Sequence, residues 1–330
     1  MQSRLKHTKL SGVLAIGILN IITHVSNVQA AETVHPIAEV KSQFNGVYRY
    51  RLGDFQITAL SDGTIPLDFN QLLLHTNPNE ITRYLDHSFR QNPVETSINA
   101  YLVDTGDRII LIDAGFGLAF NPSVSGKVLN GIRTAGYTPE QITDILITHL
   151  HSDHIGGLTV EGKKIFSNAT IYASQDDADF FLKPENHKDL KNYDQQFFKD
   201  AIQALEPYIA SDQFKTFTGK TILYPGITAI PAPGHTPGHT FYSVESRGKS
   251  VLIIGDLIHN AEVQLSRANI TIKFDVNEKA AAAQRIKQLQ EISQSKTVIA
   301  GSHLPFPGIG QIRKEQNGSY IFIPVLYQDR

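Results

Sequence analysis

The chain alternates apolar and polar positions in short runs that predict both strands and helices. Alternation with a period of two over residues 48–52 and 55–60 predicts a strand pair that turns at Gly53 and Asp54. Residues 99–103 and 108–112 predict a second pair, and the apolar run 142–148 is typical of a buried strand. Later strands are predicted at 222–224, 227–231, 240–245, 250–254 and 296–300.

Helical periodicity lies between and after these strands. It predicts helices over residues 125–135, 176–182, 195–210 and 277–293. In the last of these, the expected apolar face consists of Ala282, Ile286, Leu289 and Ile292. Two strand-rich halves, each followed by helices, predict an α/β (α+β) fold in which sheets are layered between helices. With no internal repeat or linker, residues 31–330 are expected to form a single domain.

The first thirty residues have the organisation of an export signal. A basic start is followed by an apolar run over residues 10–22 and by a small-residue junction that ends at Ala30. We therefore expect residues 1–30 to be a signal peptide and the mature protein, beginning near Ala31, to be periplasmic or secreted. The apolar run is short for a bilayer, so no stable membrane insertion is expected. An uncleaved N-terminal anchor is the alternative.

Charge and cysteine content narrow the classes of function. The signal carries three positive charges and no negative ones, so its removal takes the formal net charge from −2 to −5. No Lys/Arg stripe is present, which argues against nucleic acid as a partner. The sequence contains no cysteine, so any metal site must use histidine and carboxylate ligands. The oligomeric state stays open, and a homodimer is compatible with the sequence.

The most informative motif follows the apolar run that ends near Thr148. It places His149, His151, Asp153 and His154 within six residues at the end of a predicted strand, where functional residues often collect. His149 and His151 share one side of an extended segment, so both can reach one ion. Burying these polar groups together without a metal would cost several kcal/mol, roughly, which favours a metal site.

Three later segments repeat this arrangement of a strand followed by a potential ligand. They contain His235 and His239 after strand 227–231, Asp256 after strand 250–254, and His303 after strand 296–300. Each segment alone is a weak signal. Their order after the first motif makes the set a strong one.

This ordered pattern resembles the metallo-β-lactamase superfamily, which implies a four-layer αββα sandwich with metals at the shared edge of the sheets. The resemblance extends across the expected mature chain to the methyl parathion hydrolase family, through segments that include 52–55, 59–64 and 302–310. It implies that His149, His151 and His235 hold one ion. It also implies that Asp153, His154 and His303 hold a second ion, with Asp256 bridging the two.

The same resemblance suggests what the residues around the ions do. Asp153 and Asp256 would be the catalytic carboxylates, and His239 would be a structural or hydrogen-bonding residue behind the ligands. Four phenylalanines would line an aromatic pocket at the mouth of the site, although ordinary packing in helix cores is the alternative for them. These are Phe120, Phe181, Phe197 and Phe198.

These features together predict a hydrolase that uses two divalent metal ions per chain. Zinc is expected, although the ligands also suit manganese, iron or cobalt. A hydroxide shared by the ions would attack a small-molecule organophosphate, ester or lactone. A lactonase acting on acyl-homoserine lactones is the nearest alternative, followed by a β-lactamase. A nuclease is disfavoured by the acidic charge, and a non-enzymatic metal-binding module would need a structurally closed site.

Overall fold

The structure, a computed structural model, describes residues 46–118, 124–183, 185, 190 and 193–328. These residues belong to one structural unit, Gln43–Arg330. The expected signal peptide over residues 1–30, the expected mature start near Ala31, and Phe120 lie outside the described residues. Among the described residues, every helix is too short or too polar to cross a bilayer.

Strands make up most of the regular structure. In chain order they are β1 (Val47–Leu52), β2 (Phe55–Leu67), β3 (Leu73–Leu74), β4 (Val94–Asp104), β5 (Ile109–Ile112), β6 (Asp144–Leu146), β7 (Thr159–Val160), β8 (Lys163–Lys164), β9 (Thr170–Ser174), β10 (Phe214–Phe217), β11 (Thr221–Tyr224), β12 (Ile227–Pro231), β13 (Thr240–Ser246), β14 (Lys249–Ile253), β15 (Thr271–Ile272), β16 (Val298–Ala300), β17 (Ile309–Lys314) and β18 (Tyr320–Pro324).

Helices connect these strands. In chain order they are α1 (Phe69–Leu72), α2 (Pro78–Asp86), α3 (Val128–Thr134), α4 (Ser152–Ile155), α5 (Gln175–Leu182), α6 (Gln196–Ile209), α7 (Ala261–Ser266) and α8 (Glu278–Ser295). Two short 3₁₀ turns occupy Pro139–Gln141 and Gly156–Leu158. The predicted strands and helices are all present, with shifts of a few residues at several ends.

Two seven-stranded sheets dominate the fold. The first has the order β1-β2-β4-β5-β6-β9-β10, and the second has the order β11-β12-β13-β14-β16-β17-β18. Side chains of β4 and β5 meet those of β13 and β14 in a buried cluster between the sheets. Helix α6 covers the outer face of the first sheet, and α8 covers that of the second. The predicted αββα sandwich is thereby confirmed.

Strand direction explains why the candidate ligands gather at one edge. In the first sheet β5, β6 and β9 are parallel. In the second sheet β14 and β16 are parallel, and β12 shares their direction because β12 and β14 are both antiparallel to β13. Parallel strands present their carboxyl ends at the same edge of a sheet. The chain leaves β6, β12, β14 and β16 there, shortly before His149, His235, Asp256 and His303.

Helix α3 begins three residues later than the sequence predicts. The predicted helix starts at Ser125, but the observed one starts at Val128, whose backbone N–H donates to Asp62 Oδ1 at 3.0 Å. Gly126 has φ +79°, which is outside the helical region. The buried carboxylate of Asp62 therefore organises the turn that precedes the helix and delays its start.

Helix α8 buries a different face from the one expected. Ile286 is 47% exposed, whereas Arg285 is 1% exposed and stands between Ala281 and Leu289 on the buried side. The sequence prediction that placed Ala282 and Ile286 toward the core was wrong in this respect. The helix is rotated so that a charged side chain occupies a core position.

Candidate metal centre

Three imidazoles face one another where the loops after β6 and β12 meet. His149 Nε2 lies 3.0 Å from His151 Nδ1. His235 Nε2 lies 3.2 Å from His149 Nε2 and 3.1 Å from His151 Nδ1. Asp256 Oδ2 lies 3.4 Å from His235 Nε2, and all four side chains are buried. We call these four residues the first cluster.

A second cluster begins where the chain turns into α4 after His151. His154 Nε2 is 3.4 Å from Asp153 Oδ2 and 3.2 Å from Asp256 Oδ1. His303 Nε2 is 3.3 Å from Asp153 Oδ2 and 3.1 Å from Asp256 Oδ2. The second cluster therefore contains Asp153, His154, His303 and Asp256, and the carboxylate of Asp256 faces both clusters. The structure thus brings together all seven of the residues that the sequence singled out as ligands.

The chemistry of these atoms fits metal ions. Three ring nitrogens that face each other cannot all be satisfied by shared protons, and His154 Nε2 and Asp256 Oδ1 make no hydrogen bond among the described residues. Each buried polar atom left unpaired costs about 1–3 kcal/mol. Tetrahedral zinc with bonds of about 2.0–2.1 Å holds its ligand atoms roughly 3.3 Å apart, close to the observed separations. The two clusters fit a binuclear metal site.

The pKa values of the histidines differ between neighbours. Burial and the charges of neighbouring histidines hold the pKa values of His149 and His151 well below the usual value. Burial also opposes protonation of His235, but its contacts with Asp256 and Asp275 outweigh this effect and raise its pKa to about 9. Without metal, protons therefore compete for some of the ligand nitrogens, and metal binding must release them.

Two buried carboxylates outside the predicted set each hold one histidine. Asp113 Oδ2 is 2.8 Å from His154 Nδ1 and also accepts a hydrogen bond from the Thr148 hydroxyl at 2.8 Å. Asp275 Oδ1 is 2.8 Å from His235 Nδ1. A carboxylate behind a metal-binding histidine fixes its orientation and directs its other nitrogen toward the ion. Each cluster therefore has one histidine oriented in this way.

A third buried carboxylate, Asp177, joins the two histidine loops. It accepts hydrogen bonds from the Leu150 and Gly238 backbone N–H groups at 3.1 and 2.6 Å. It also accepts one from the Thr236 hydroxyl at 3.0 Å. Burial raises the pKa of Asp177 to about 6, although these hydrogen bonds oppose the shift. The loops that carry His149 and His235 are thereby held together even without an ion.

His239 takes a hydrogen-bonding position behind the ligands. Its Nδ1 donates to the Ala232 carbonyl at 3.2 Å, and its Nε2 accepts from the Asp256 backbone N–H at 3.0 Å. A Cβ on Gly255, which has φ +46°, would lie 2.7 Å from His239 Nε2. Glycine is therefore required beside Asp256, and His239 fixes the backbone that presents this carboxylate.

The predicted aromatic pocket is only partly realised. The ring of Phe197 stacks on His151, with centroids 4.2 Å apart, and the Tyr193 hydroxyl contacts His151 Nε2. By contrast, Phe181 and Phe198 are completely buried in the core beneath α5 and α6. The expectation that these two line the pocket surface is corrected, because both rings are buried: Phe181 meets His151 edge to face with centroids 5.7 Å apart, and Phe198 packs against Phe181. We call Tyr193, Phe197 and Phe274 the aromatic wall; the Phe274 ring meets that of Phe197 edge to face at 6.2 Å.

The centre borders a cavity lined mostly by polar residues. A volume of about 200 Å³ lies beside His303 and His259, and its lining also includes Thr64, Arg90, Thr96 and Glu262. We call this space the polar cavity. The centre therefore borders two unlike walls, one aromatic beside His151 and one rich in hydrogen-bonding groups beside His303.

Sequence reasoning missed His259. It is buried, its ring stacks on His303 with centroids 5.2 Å apart, and its Nε2 is 3.2 Å from Asp256 Oδ2. Neither ring nitrogen makes a hydrogen bond among the described residues, and burial lowers its pKa to about 4. His259 lies three residues after the predicted ligand Asp256, and this position could have indicated from the sequence that it lies near the centre.

Asp113 could also have been found, because it directly follows β5 at the same edge of the first sheet. Asp275 and Tyr193 carry no such signal. Neither follows a strand of the two large sheets in the way that the ligands do. They reach the centre only through the folding of longer connections.

Comparison with known proteins agrees with this geometry. Residues 93–300 match the sequence profile of the metallo-beta-lactamase superfamily. N-acyl homoserine lactonase AiiA from Bacillus thuringiensis subsp. kurstaki is 26% identical over 223 residues, which cover 62% of this chain and 79% of the lactonase.

Two solved structures are similar over most of the chain. The hydrolase AbOPH, described as a member of the beta lactamase superfamily, is 37% identical, with a TM-score of 0.81 over 87% of this chain and 100% of that one. AidC, a dizinc quorum-quenching lactonase in complex with a product, is 27% identical, with a TM-score of 0.78 over the same shares. With the profile match, the fold and the two His/Asp clusters in agreement, this chain belongs to the metallo-β-lactamase superfamily and is a metal-dependent hydrolase.

Proposed function

We propose that the protein hydrolyses lactones and related carboxylic esters, with N-acyl homoserine lactones as the first candidates. The observation that carries this proposal is the position of Asp256, which is shared by a cluster that contacts the aromatic wall and a cluster that borders the polar cavity. Such a site suits a substrate with one apolar arm, one polar arm and a cleavable bond between them.

The ions and the protein residues have separate tasks in this proposal. Two divalent ions held by the two clusters would lower the pKa of a coordinated water toward about 7 and would polarise the bond to be cleaved. Asp153 and Asp256 provide the negative charge that offsets the repulsion between two dications. Asp113 and Asp275 orient His154 and His235, so that the ligand nitrogens are held in place before substrate arrives.

The walls would position the two arms of the substrate. Phe197, which stacks on His151, offers an aromatic face for an acyl chain or ring. Thr64, Thr96 and Arg90 in the polar cavity offer hydrogen-bonding groups for an amide or a hydroxyl. An N-acyl homoserine lactone has both an apolar chain and an amide, so it can use both walls.

Similarity to lactonases supports the same choice. The AiiA match covers more than half of this chain, and the AidC structure holds the product N-hexnoyl-L-homoserine. Both proteins are called lactonases, and the fold of AidC coincides with this one over most of the chain.

Aryl phosphotriesters are a second candidate substrate class. The resemblance to the methyl parathion hydrolase family favours them, and the aromatic wall could hold an aryl leaving group against Phe197. The polar cavity gives such a substrate less to bind, because a dialkyl phosphotriester has no amide N–H to donate to acceptors such as the Glu262 carboxylate. We therefore rank this activity below lactone hydrolysis.

One substrate panel tests the proposal. Purified protein loaded with zinc is assayed on an N-hexanoyl homoserine lactone, an unsubstituted γ-lactone, an aryl acetate, an aryl phosphotriester and a β-lactam. We expect the highest kcat/KM on the acylated lactone, because it alone uses both walls. Proton release at constant pH measures lactone opening directly.

Two controls make the panel decisive. The protein treated with a chelator and the Asp256→Ala variant should both lose the activity. A higher kcat/KM on the phosphotriester would reverse the ranking in favour of the second candidate. Absence of hydrolysis of every ester and lactone by fully metal-loaded protein would refute the proposal.

A further inference from the structure

Behind His235 lies a buried charged pair that supplies no ligand atom to either cluster. Asp275 and Arg285 both have almost completely buried side chains. Burying a charge is costly unless charge partners and hydrogen bonds compensate it, so such a pair next to a metal centre needs an explanation. Its contacts provide one.

Asp275 joins His235 to the backbone. Its Oδ1 accepts from His235 Nδ1 at 2.8 Å, while its Oδ2 accepts from the Ile272 backbone N–H at 3.1 Å. With Nδ1 carrying the proton, the lone pair of His235 Nε2 points toward His149 and His151. Both oxygens of Asp275 are therefore used, and the second anchors the first.

Arg285 fixes the segments around this carboxylate. Its Nε donates to the Leu257 carbonyl at 2.7 Å, and its Nη1 donates to the carbonyls of Ala268 and Ile270 at 3.1 and 2.5 Å. Its Nη2 lies 3.9 Å from Asp275 Oδ2. The planar guanidinium thus holds α8, the residue after Asp256 and the segment leading to Asp275 in one arrangement.

We propose that Asp275 and Arg285 are positioning residues for the first cluster, with Asp275 orienting His235 and Arg285 holding Asp275 in place. The two clusters then depend on different supports, since His154 in the second cluster is oriented by Asp113 instead. Loss of Asp275 should lower the affinity of the first cluster for its ion more than that of the second cluster. If Asp275 had a purely structural role, its loss would lower both affinities alike.

The test measures metal affinity, which is independent of substrate. Asp275→Asn is introduced into two backgrounds, His303→Ala, which spares the first cluster, and His151→Ala, which spares the second. Affinity for Co²⁺ is measured by competition with a chromophoric chelator. We expect Asp275→Asn to weaken binding roughly 10–100-fold in the His303→Ala background and to have little effect in the His151→Ala background. Asp113→Asn is the matched control, with its larger effect in the His151→Ala background.

Arg285 is tested in the same assay. Arg285→Met should lower the affinity of the first cluster for Co²⁺ in the His303→Ala background. Arg285→Lys should lower it less, because lysine keeps the charge but not the planar donor set. Circular dichroism of the metal-free variants checks folding. If Arg285→Met does not fold, wild-type affinity in folded Arg285→Lys would overturn the role of Arg285, and a reduced affinity would support it.

The outcome for Asp275 is independent of that result. Asn has nearly the same shape as Asp, so the substitution removes the charge with little change in packing. Equal losses in the two backgrounds, or no loss in either, would overturn the proposal. A lack of hydrolytic activity on the substrate panel would leave it intact, because only metal binding is measured.

Discussion

The two metal clusters share Asp256 but differ in what surrounds them. The first cluster lies against the aromatic wall, with Phe197 stacked on His151. His303 of the second cluster borders the polar cavity. The carboxylates that orient one histidine in each cluster also have different neighbours. Asp275 lies beside the cation Arg285, whereas Asp113 accepts hydrogen bonds from neutral groups, the Thr148 hydroxyl and backbone N–H.

This difference indicates that two properties of the site, its hydrolytic chemistry and its choice of substrate, depend on different residues. The shared carboxylate and the ligand loops define the chemistry, and they are built from strand ends at one edge of the fold. The walls define what can approach. The aromatic wall comes from other segments, whereas the polar cavity combines residues 64 and 90–97 with residues from the loops that carry Asp256 and His303. Variants that act on the shared part should affect all substrates, whereas variants in one wall should affect only the arm that binds there.

The largest effect should come from the residue that both clusters share. Asp256→Ala removes the carboxylate that both clusters share and that would offset the repulsion between two dications, so at least one ion should bind more weakly. Activity on every substrate should fall at least about 10²-fold, the size typical of losing one preorganised electrostatic group. Elemental analysis and turnover measurements check this, with Asp54→Ala as an exposed control. A variant that keeps both ions and wild-type turnover would refute the shared role.

A smaller and more selective effect is expected from the aromatic wall. Phe197→Ala should lower kcat/KM about tenfold for long-chain acyl lactones. The variant loses a partly buried aromatic contact with the acyl chain, and a tenfold change corresponds to about 1.4 kcal/mol of binding free energy. A short, unbranched γ-lactone should be affected much less. Steady-state kinetics over a series of chain lengths measures the difference.

Arg90→Gln changes the polar cavity and is the counterpart of Phe197→Ala in the aromatic wall. It should raise KM for amide-bearing lactones by a smaller factor, roughly two- to tenfold, and leave the chain-length dependence unchanged. If both variants changed all substrates equally, the two walls would not act as separate subsites.

The smallest expected effect is a pH dependence of stability in the metal-free protein. Contacts with Asp256 and Asp275 raise the pKa of His235 from 6.5 to about 9, despite its burial. The stability that this proton contributes is full below about pH 6.5 and is lost as pH rises toward about 9. Metal binding displaces the proton, so affinity for the ion should rise over the same range.

Thermal unfolding at several pH values checks this prediction. The metal-free protein should melt at a lower temperature at pH 9 than at pH 6.5, and the metal-loaded protein should not show this decrease. The pKa of His303 is also raised by its carboxylate neighbours and acts in the same direction. A metal-free protein that is more stable at pH 9 would contradict the assignment.

The ligand set could be predicted from the sequence because its information is local. His149, His235, Asp256 and His303 each follow an apolar strand within a few residues, and parallel strands bring such positions to one edge. The sandwich itself followed from the same alternation of apolar runs and helices. Neither inference needed to know which residues pack together over long distances.

The surroundings of the ligands could not be predicted in this way. Arg285 occupies a core position of α8 because three backbone carbonyls and Asp275 receive its charge, and none of these partners is near it in sequence. A prediction that places every charged residue on the exposed face therefore assigns the wrong buried face to α8. Likewise, only tertiary packing distinguishes Phe197, which reaches the site, from the buried Phe198 beside it.

The origin of the aromatic wall has a consequence for how the enzyme could diversify. Tyr193 and Phe197 belong to the connection between β9 and β10, which holds α5 and α6 and contains none of the seven ligands. Asp177 of α5 holds the ligand loops together, so changes of length or sequence after α5 can reshape the entrance while the strand ends that carry the ligands stay fixed. The part of the connection that follows α5 is therefore the natural segment to exchange between relatives when a new substrate range is sought without rebuilding the metal centre.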